Sequence, residues 1–188
     1  MESIEQAYQA GQRAFGENYL QEAENKISAL SSRDIEWHFI GPVQSNKTRA
    51  IAGQFRWCHS VDRIKTAHRL SAATDKSHPL NICVQINISG ESSKSGIDEQ
   101  DAVMLCEQVK DLPGLKLRGL MAMPAPAETL EEQRRPFRRL RQLLESLNQA
   151  GLDLDTLSMG TSHDIEAAVA EGATIIRTGT AIFGPRGG

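Results

Sequence analysis

Two stretches late in the chain carry the residue types that can cradle an anion: Ser158-Met159-Gly160-Thr161-Ser162-His163-Asp164 and Arg177-Thr178-Gly179-Thr180-Ala181-Ile182-Phe183-Gly184. Each leaves an apolar run through glycine and hydroxyl residues. Small residues let backbone N–H groups approach a phosphate, and a helix beginning just beyond adds positive partial charge. For the first stretch a plain helix cap is the simpler alternative, with Thr161 or Ser162 capping and Asp164 in the first turn. Arg177 strengthens the second, because it ends the apolar run Ile175-Ile176-Arg177, where a buried guanidinium needs an acceptor. A structural carboxylate would serve, and so would a ligand phosphate or ring nitrogen.

Earlier segments supply further candidates. His38 alternates with Trp37 and Phe39, so on a strand it projects from the face opposite those aromatics. A hydrogen-bonded core histidine and a histidine turned toward a ligand are both open. In Gln44-Ser45-Asn46-Lys47, Ser45 or Asn46 can start a helix with Lys47 in solvent, or the group can face a ligand. Asn18, in Gly16-Glu17-Asn18-Tyr19, can hydrogen-bond a ligand or cap the next helix.

The elements that must position these residues alternate. Apolar, β-prone runs predict strands at 13–15, 35–40, 55–61, 80–88, 115–121, 156–159 and 174–177. Helical patterns fall at 4–10, 19–30, 43–52, 63–74, 99–110, 129–148 and 162–170, one after each strand except the last. Such alternation predicts an α/β fold with a parallel sheet. The first element is a helix, with Ile4, Ala7, Tyr8 and Gly11 as its buried face, and parallel sheets grow as strand, helix, strand. The expectation is therefore a TIM-type (β/α)8 barrel missing its first β-strand, with residues 1–188 forming one N-terminally incomplete domain. Chemistry in such a barrel sits at the C-terminal strand ends. With the missing strand counted, the two anion-binding stretches follow strands 7 and 8, where barrels often hold phosphate.

Composition narrows the function classes. Of 188 residues, 39% are hydrophobic and 24% charged, a balance that suits one globular core and excludes a disordered chain. A net charge of −3 offers no general attraction to nucleic acid or to a membrane surface. The first residues lack a secretory pattern and no apolar run is long enough to span a bilayer, so a cytoplasmic location is expected. Cys58, Cys83 and Cys106 form no Cys-x-x-Cys pair and read as reduced, buried thiols, so no metal site is expected. The cluster Arg134, Arg135, Arg138, Arg139 and Arg141 reads as a solvated helix face.

Five motifs, in order along essentially the whole chain, resemble the pyridoxal-phosphate homeostasis proteins: Phe15-Gly16-Glu17-Asn18-Tyr19, the segment from Trp37 to Lys47, Ser93-Lys94-Ser95-Gly96, Gly119-Leu120-Met121-Ala122-Met123-Pro124 and the segment from Arg177 to Gly184. The resemblance implies a barrel like the N-terminal domain of alanine racemase, binding the vitamin B6 cofactor pyridoxal 5′-phosphate (PLP) without the racemase's second domain. It implies a carrier or regulator in intracellular PLP homeostasis, with no established catalytic turnover and no catalytic residues. Ser162 and the backbone at Gly179 and Thr180 resemble the family's phosphate cradle, Arg177 resembles the arginine facing the pyridine nitrogen, and Asn18, His38 and Met121 would line the ring. An arginine there disfavours a protonated pyridinium, which weakens the ring as an electron sink. The implied partners are PLP and PLP-dependent apo-enzymes, with the chain a monomer.

One departure stands out. The family attaches PLP through a Schiff-base lysine on the first strand, and none of Lys26, Lys47, Lys65, Lys76, Lys94, Lys110 or Lys116 falls at a matching position. Binding is therefore expected to be non-covalent and weak. Two alternatives remain at this stage: a PLP-dependent amino-acid racemase or lyase-like enzyme, and a ligand-free interaction protein.

Overall fold

A computed structural model describes residues 2–91 and 94–184. Its elements are α1 (Glu2–Gln9), β1 (Ala14–Glu17), α2 (Leu20–Ala29), β2 (Glu36–Phe39), α3 (Thr48–Gln54), β3 (Trp57–Val61), α4 (Ile64–Ala73) and β4 (Leu80–Gln85). A 3-10 turn at Glu99–Asp101 leads into α5 (Ala102–Lys110), followed by β5 (Leu115–Met121), α6 (Leu130–Gln149), β6 (Thr156–Thr161), α7 (Ile165–Ala170), β7 (Ile175–Arg177) and α8 (Thr180–Phe183).

All seven strands pair in parallel and in chain order, from β1 to β7. The sheet is rolled. In a flat sheet β3 and β6 would stand three spacings apart, roughly 14 Å, yet His59 on β3 lies 2.7 Å from Ser158 on β6. Among the described residues β1 and β7 do not pair with each other, so the barrel is nearly closed. The strand and helix alternation of the sequence thus becomes the expected α/β barrel, with seven strands.

Alternation along each strand separates two environments. Trp37, Phe39, Cys58, Ile82 and Val84 join the main core, which also takes Ala23 and Ile51, Leu70, Leu105 and Phe137 from the helices. The intervening residues turn inward, where Trp57, Cys83 and Met121 form a second cluster with Ile175 packed against it. Strands β3 and β4 are buried along their whole length, as strands covered on both faces must be.

Several local expectations are corrected. Helix α3 starts at Thr48 rather than Val43, and Val43 is buried without being helical. The Gly41-Pro42 break is followed by turns, in which the Thr48 hydroxyl donates to the Ser45 carbonyl at 3.2 Å. Gly11 is not on the buried face of α1. It is exposed at φ +103°, where it ends the helix. A short α8 follows the last strand, where none was expected. The arginine cluster of α6 is not merely solvated: Arg134, Arg138 and Arg141 converge on Glu171, whose side chain is 3% exposed, while Arg139 reaches the Ile88 carbonyl and Glu99. That carboxylate ends α7, so the cluster clamps α6 onto α7. Thr129 caps α6 with a reciprocal Thr129–Glu132 box. No helix among the described residues is long and apolar enough to cross a membrane.

Candidate functional site

The C-terminal ends of parallel strands share one face, so the ends of β5, β6 and β7 converge there. Gly160 makes the turn after β6 possible: its φ is +94°, and a Cβ added there would stand 2.6 Å from the Ala168 Cβ. The chain then folds back on itself, with the Thr161 N–H and hydroxyl both donating to the Asp164 carboxylate at 2.5 and 2.9 Å. Neither Thr161 nor Ser162 caps α7, and Asp164 occupies that position without a side-chain bond to the helix. Ser162 turns the other way, and its hydroxyl accepts from the Ala181 N–H at 3.2 Å. Ser162, Gly179 and Thr180 are thereby brought together. A cavity of about 210 Å³ opens between the segment after β5 and the β6–α7 turn, lined by Ala122, Met123, Pro124, Gln133, Gly160 and Asp164; Ser162, Gly179 and Thr180 are not in its lining. A larger hollow of about 460 Å³, bounded by Trp37, Arg56 and His78, lies at the N-terminal strand ends, away from this chemistry.

Arg177, at the end of β7, points into the barrel. Its Nη1 donates to Ser158 Oγ at 2.6 Å and its Nη2 to the Ala122 carbonyl at 3.0 Å. Burial pulls its pKa down to about 10, so it remains a cation at neutral pH. Among the described residues its hydrogen-bond partners are one hydroxyl and one carbonyl, and the Asp164 carboxylate acts on it only through space.

Behind Ser158 lies a row of polar side chains. Its Oγ is 2.7 Å from His59 Nδ1, His59 Nε2 is 2.8 Å from His38 Nδ1, and His38 Nε2 is 3.0 Å from Glu36 Oε1. The His38 ring stacks on Trp57, with centroids 5.4 Å apart and planes 5° from parallel. Burial holds the pKa of His59 well below 6.5, with His38 and Arg177 adding to the effect. Burial also lowers that of His38, against the pull of Glu36. Both rings are neutral at pH 7.

The expected site residues therefore fall in four places. Ser162, Gly179, Thr180 and Arg177 sit together at the ends of β6 and β7. Met121, 1% exposed at the end of β5, packs with Trp57 and Cys83 in the inner cluster. His38 is inward but meets Arg177 only through His59 and Ser158. Asn18 is exposed at the end of β1, and Tyr19 rather than Asn18 holds the cap position of α2. The Asn18 carbonyl presses on Gly41, where a Cβ would stand 1.9 Å from it, so this glycine fits the β1 and β2 junctions together. In the Ser93-Lys94-Ser95-Gly96 motif Ser93 lies outside the described residues, Lys94 pairs with Glu91 at 3.3 Å, and Gly96 packs on the backbone of Asn87 at φ +115°. Sequence reasoning missed His59 and Glu36 and placed Ser158 only as the start of an anion-cradling stretch, not as a partner of Arg177. The usable signal was alternation, since His59 stands two residues from Trp57 and Glu36 two from His38.

Comparison with known proteins agrees with this geometry. The family described as "Alanine racemase, N-terminal domain" matches residues 1–187. A pyridoxal phosphate homeostasis protein of Pseudomonas aeruginosa is 56% identical over 185 residues, covering 98% of this chain and 79% of that protein. The Escherichia coli K12 protein of the same name is 48% identical over 188 residues, covering 98% and 80%. The structure of PipY from Synechococcus elongatus PCC7942 with PLP bound superposes with a TM-score of 0.88 at 38% identity, covering 97% of this chain and 87% of that one. Alanine racemase from Corynebacterium glutamicum, 18% identical with a TM-score of 0.71, shares the fold. Five motifs in order, a rolled parallel sheet with its polar residues gathered at the strand ends, and relatives of this similarity lead to one conclusion: the chain belongs to the pyridoxal phosphate homeostasis protein family, built on the alanine racemase N-terminal-domain fold.

Proposed function

We propose that the chain binds PLP non-covalently at the C-terminal ends of β5 to β7 and acts as a carrier or regulator in PLP homeostasis rather than as a catalyst. The observation that carries the proposal is Arg177, a half-buried cation whose hydrogen bonds go to neutral groups, beside a turn of hydroxyl and glycine residues. These residues fit the cofactor. A guanidinium only donates hydrogen bonds, which suits an unprotonated pyridine nitrogen. The Ser162 hydroxyl and the backbone of Gly179 and Thr180 suit a phosphate. Met121 would pack beside the ring, Asn18 would close its far side, and His38 would act through His59. Bound there, the cofactor supplies an aldehyde and an electron-accepting ring, both its own chemistry.

The lysines favour non-covalent, weaker binding. Lys26, Lys94 and Lys110 are tied to Glu17, Glu91 and Glu107, and among the described residues no lysine hydrogen-bonds to Ser158 or Ser162. Racemisation calls for two opposed acid–base groups at the ring. Tyr8 is committed on α1, under the Arg13 guanidinium at 4.1 Å. On this proposal the chain works in the cytoplasm as a monomer and passes PLP to PLP-dependent apo-enzymes.

A spectroscopic titration with PLP tests it. One equivalent should bind, and Arg177→Ala and Ser162→Ala should each weaken binding roughly tenfold or more, the scale of a hydrogen bond to a charged group. Borohydride treatment of the complex should leave the mass of the chain unchanged, and amino acids should not turn over. Unaltered affinity in Arg177→Ala, or a stoichiometric lysine adduct, would refute the binding mode; measurable racemase or lyase turnover would refute the carrier role.

A further inference from the structure

The row of side chains behind Arg177 has a direction. A guanidinium can only donate, so Ser158 Oγ accepts from Arg177 at 2.6 Å. The Ser158 hydrogen then goes to His59 Nδ1 at 2.7 Å, which leaves neutral His59 with its hydrogen on Nε2. That hydrogen points at His38 Nδ1, 2.8 Å away, and so the His38 hydrogen sits on Nε2, facing Glu36 Oε1 at 3.0 Å. An ionised carboxylate can only accept, so the far end demands the same order as the near end. Reversal would set the bare His38 Nε2 against a carboxylate lone pair and leave the Ser158 hydrogen without its acceptor.

We propose that Glu36, His38, His59 and Ser158 form a one-way hydrogen-bond wire across the barrel that holds both histidines as Nε2–H tautomers and positions Arg177 toward the ligand. The wire joins β2, β3, β6 and β7. Its advantage over a carboxylate partner is electrostatic: Arg177 is oriented by neutral groups, and the charge of the guanidinium stays available to a ligand. The wire ends on a carboxylate, Glu36, whose side chain is 45% exposed, while the carboxylate whose field reaches Arg177 is Asp164, held by the Thr161 N–H and hydroxyl rather than by the guanidinium. Neighbouring charges leave the order intact. Arg118 is paired with Asp155 and lies over the Trp57 ring, and Cys83, whose pKa burial drives far up, is a neutral thiol.

The positioning role rests on the site proposed above, but the wire does not, and the two can be tested apart. Ligand-free protein labelled with 15N at histidine is examined at about pH 7.5 by long-range 1H–15N correlation and by the 15N–15N coupling across a hydrogen bond. His38 and His59 should both be neutral with hydrogen on Nε2, and a coupling should join His59 Nε2 to His38 Nδ1. An Nδ1–H or charged form of either ring, or absence of the coupling, would overturn the wire. For positioning, PLP affinity is measured in a double-mutant cycle. Ser158→Ala should weaken binding roughly tenfold, and should have no further effect once Arg177→Ala is present. Parent-like affinity in Ser158→Ala, or an equal loss in the Arg177→Ala background, would overturn the positioning role. If the unsubstituted protein fails to bind PLP, the binding site falls together with the positioning role, and the tautomers, read without ligand, still decide the wire.

Discussion

Glu171 offers the sharpest test of how the site is held in shape. It closes α7, whose other end begins just after Ser162, and it takes hydrogen bonds from Arg134 at 2.8 Å and Arg138 at 3.1 Å, with Arg141 at 3.5 Å. Burial opposes its ionisation, but the arginines outweigh that and hold its pKa below the usual carboxylate value. Replacing it by alanine leaves three guanidinium groups facing one another across a small void. Hydrogen bonds to charged groups are worth about 1.5–3 kcal/mol each. The three arginine side chains are 33–36% exposed, so solvent screens part of that. A net loss of about 2–4 kcal/mol follows for Glu171→Ala, which for a chain of this size lowers Tm by roughly 5–15 °C. Glu171→Gln, which keeps the shape but not the charge, should lose about half as much. Urea denaturation followed by circular dichroism measures both. A Glu171→Ala protein within about 0.5 kcal/mol of the parent, the range of ordinary surface changes, would show that the arginine cluster is solvated after all and does not clamp α6 to α7.

Three further outcomes are expected. Gly160→Ala should cost about 2–4 kcal/mol, from a side chain at positive φ and overlap with Ala168, and should weaken PLP binding through the displaced turn; a thermal melt and a titration at parent values would contradict it. Because burial holds the pKa of His59 below its unfolded value, the unfolded chain binds more protons in acid, and stability present at pH 7 should fall as the pH drops below about 6.5. The loss from pH 6.5 to 5.5 is about 1 kcal/mol for each histidine kept neutral, measurable as a pH-dependent urea midpoint; a slope unchanged in His59→Gln would rule His59 out as its source. Burial raises the thiol pKa of Cys58 to about 11 and that of Cys106 to about 12, so both should resist alkylation at pH 8 in the native state and react once unfolded; rapid native-state labelling of either would contradict their burial.

Much of the barrel was legible because strands and long helices carry their own periodicity. The run at 115–121 becomes β5 over the same residues, and the helical pattern at 129–148 becomes α6. Helix α8 was not legible, since four residues give too little repeat for a period to show. Val43 misled in the opposite way: it is apolar at helical spacing, but it is buried by a turn that follows the Gly41-Pro42 break. In the site, the grouping of Ser162, Gly179 and Thr180 could be read from two strand-to-helix junctions in neighbouring units. The partners of Arg177 could not, because the contact with Ser158 depends on the register of β6 against β7, and the link from Ser158 to His59 spans 99 residues that only the curvature of the sheet brings together.

The most direct test of the account is a crystal structure of this protein with PLP. It should show the pyridine nitrogen facing Arg177 and the phosphate against Ser162, Gly179 and Thr180, with no bond from the cofactor to a lysine. Cofactor density at the N-terminal strand ends beside Trp37 and His78, or a phosphate held away from the β6–α7 and β7–α8 turns, would contradict it.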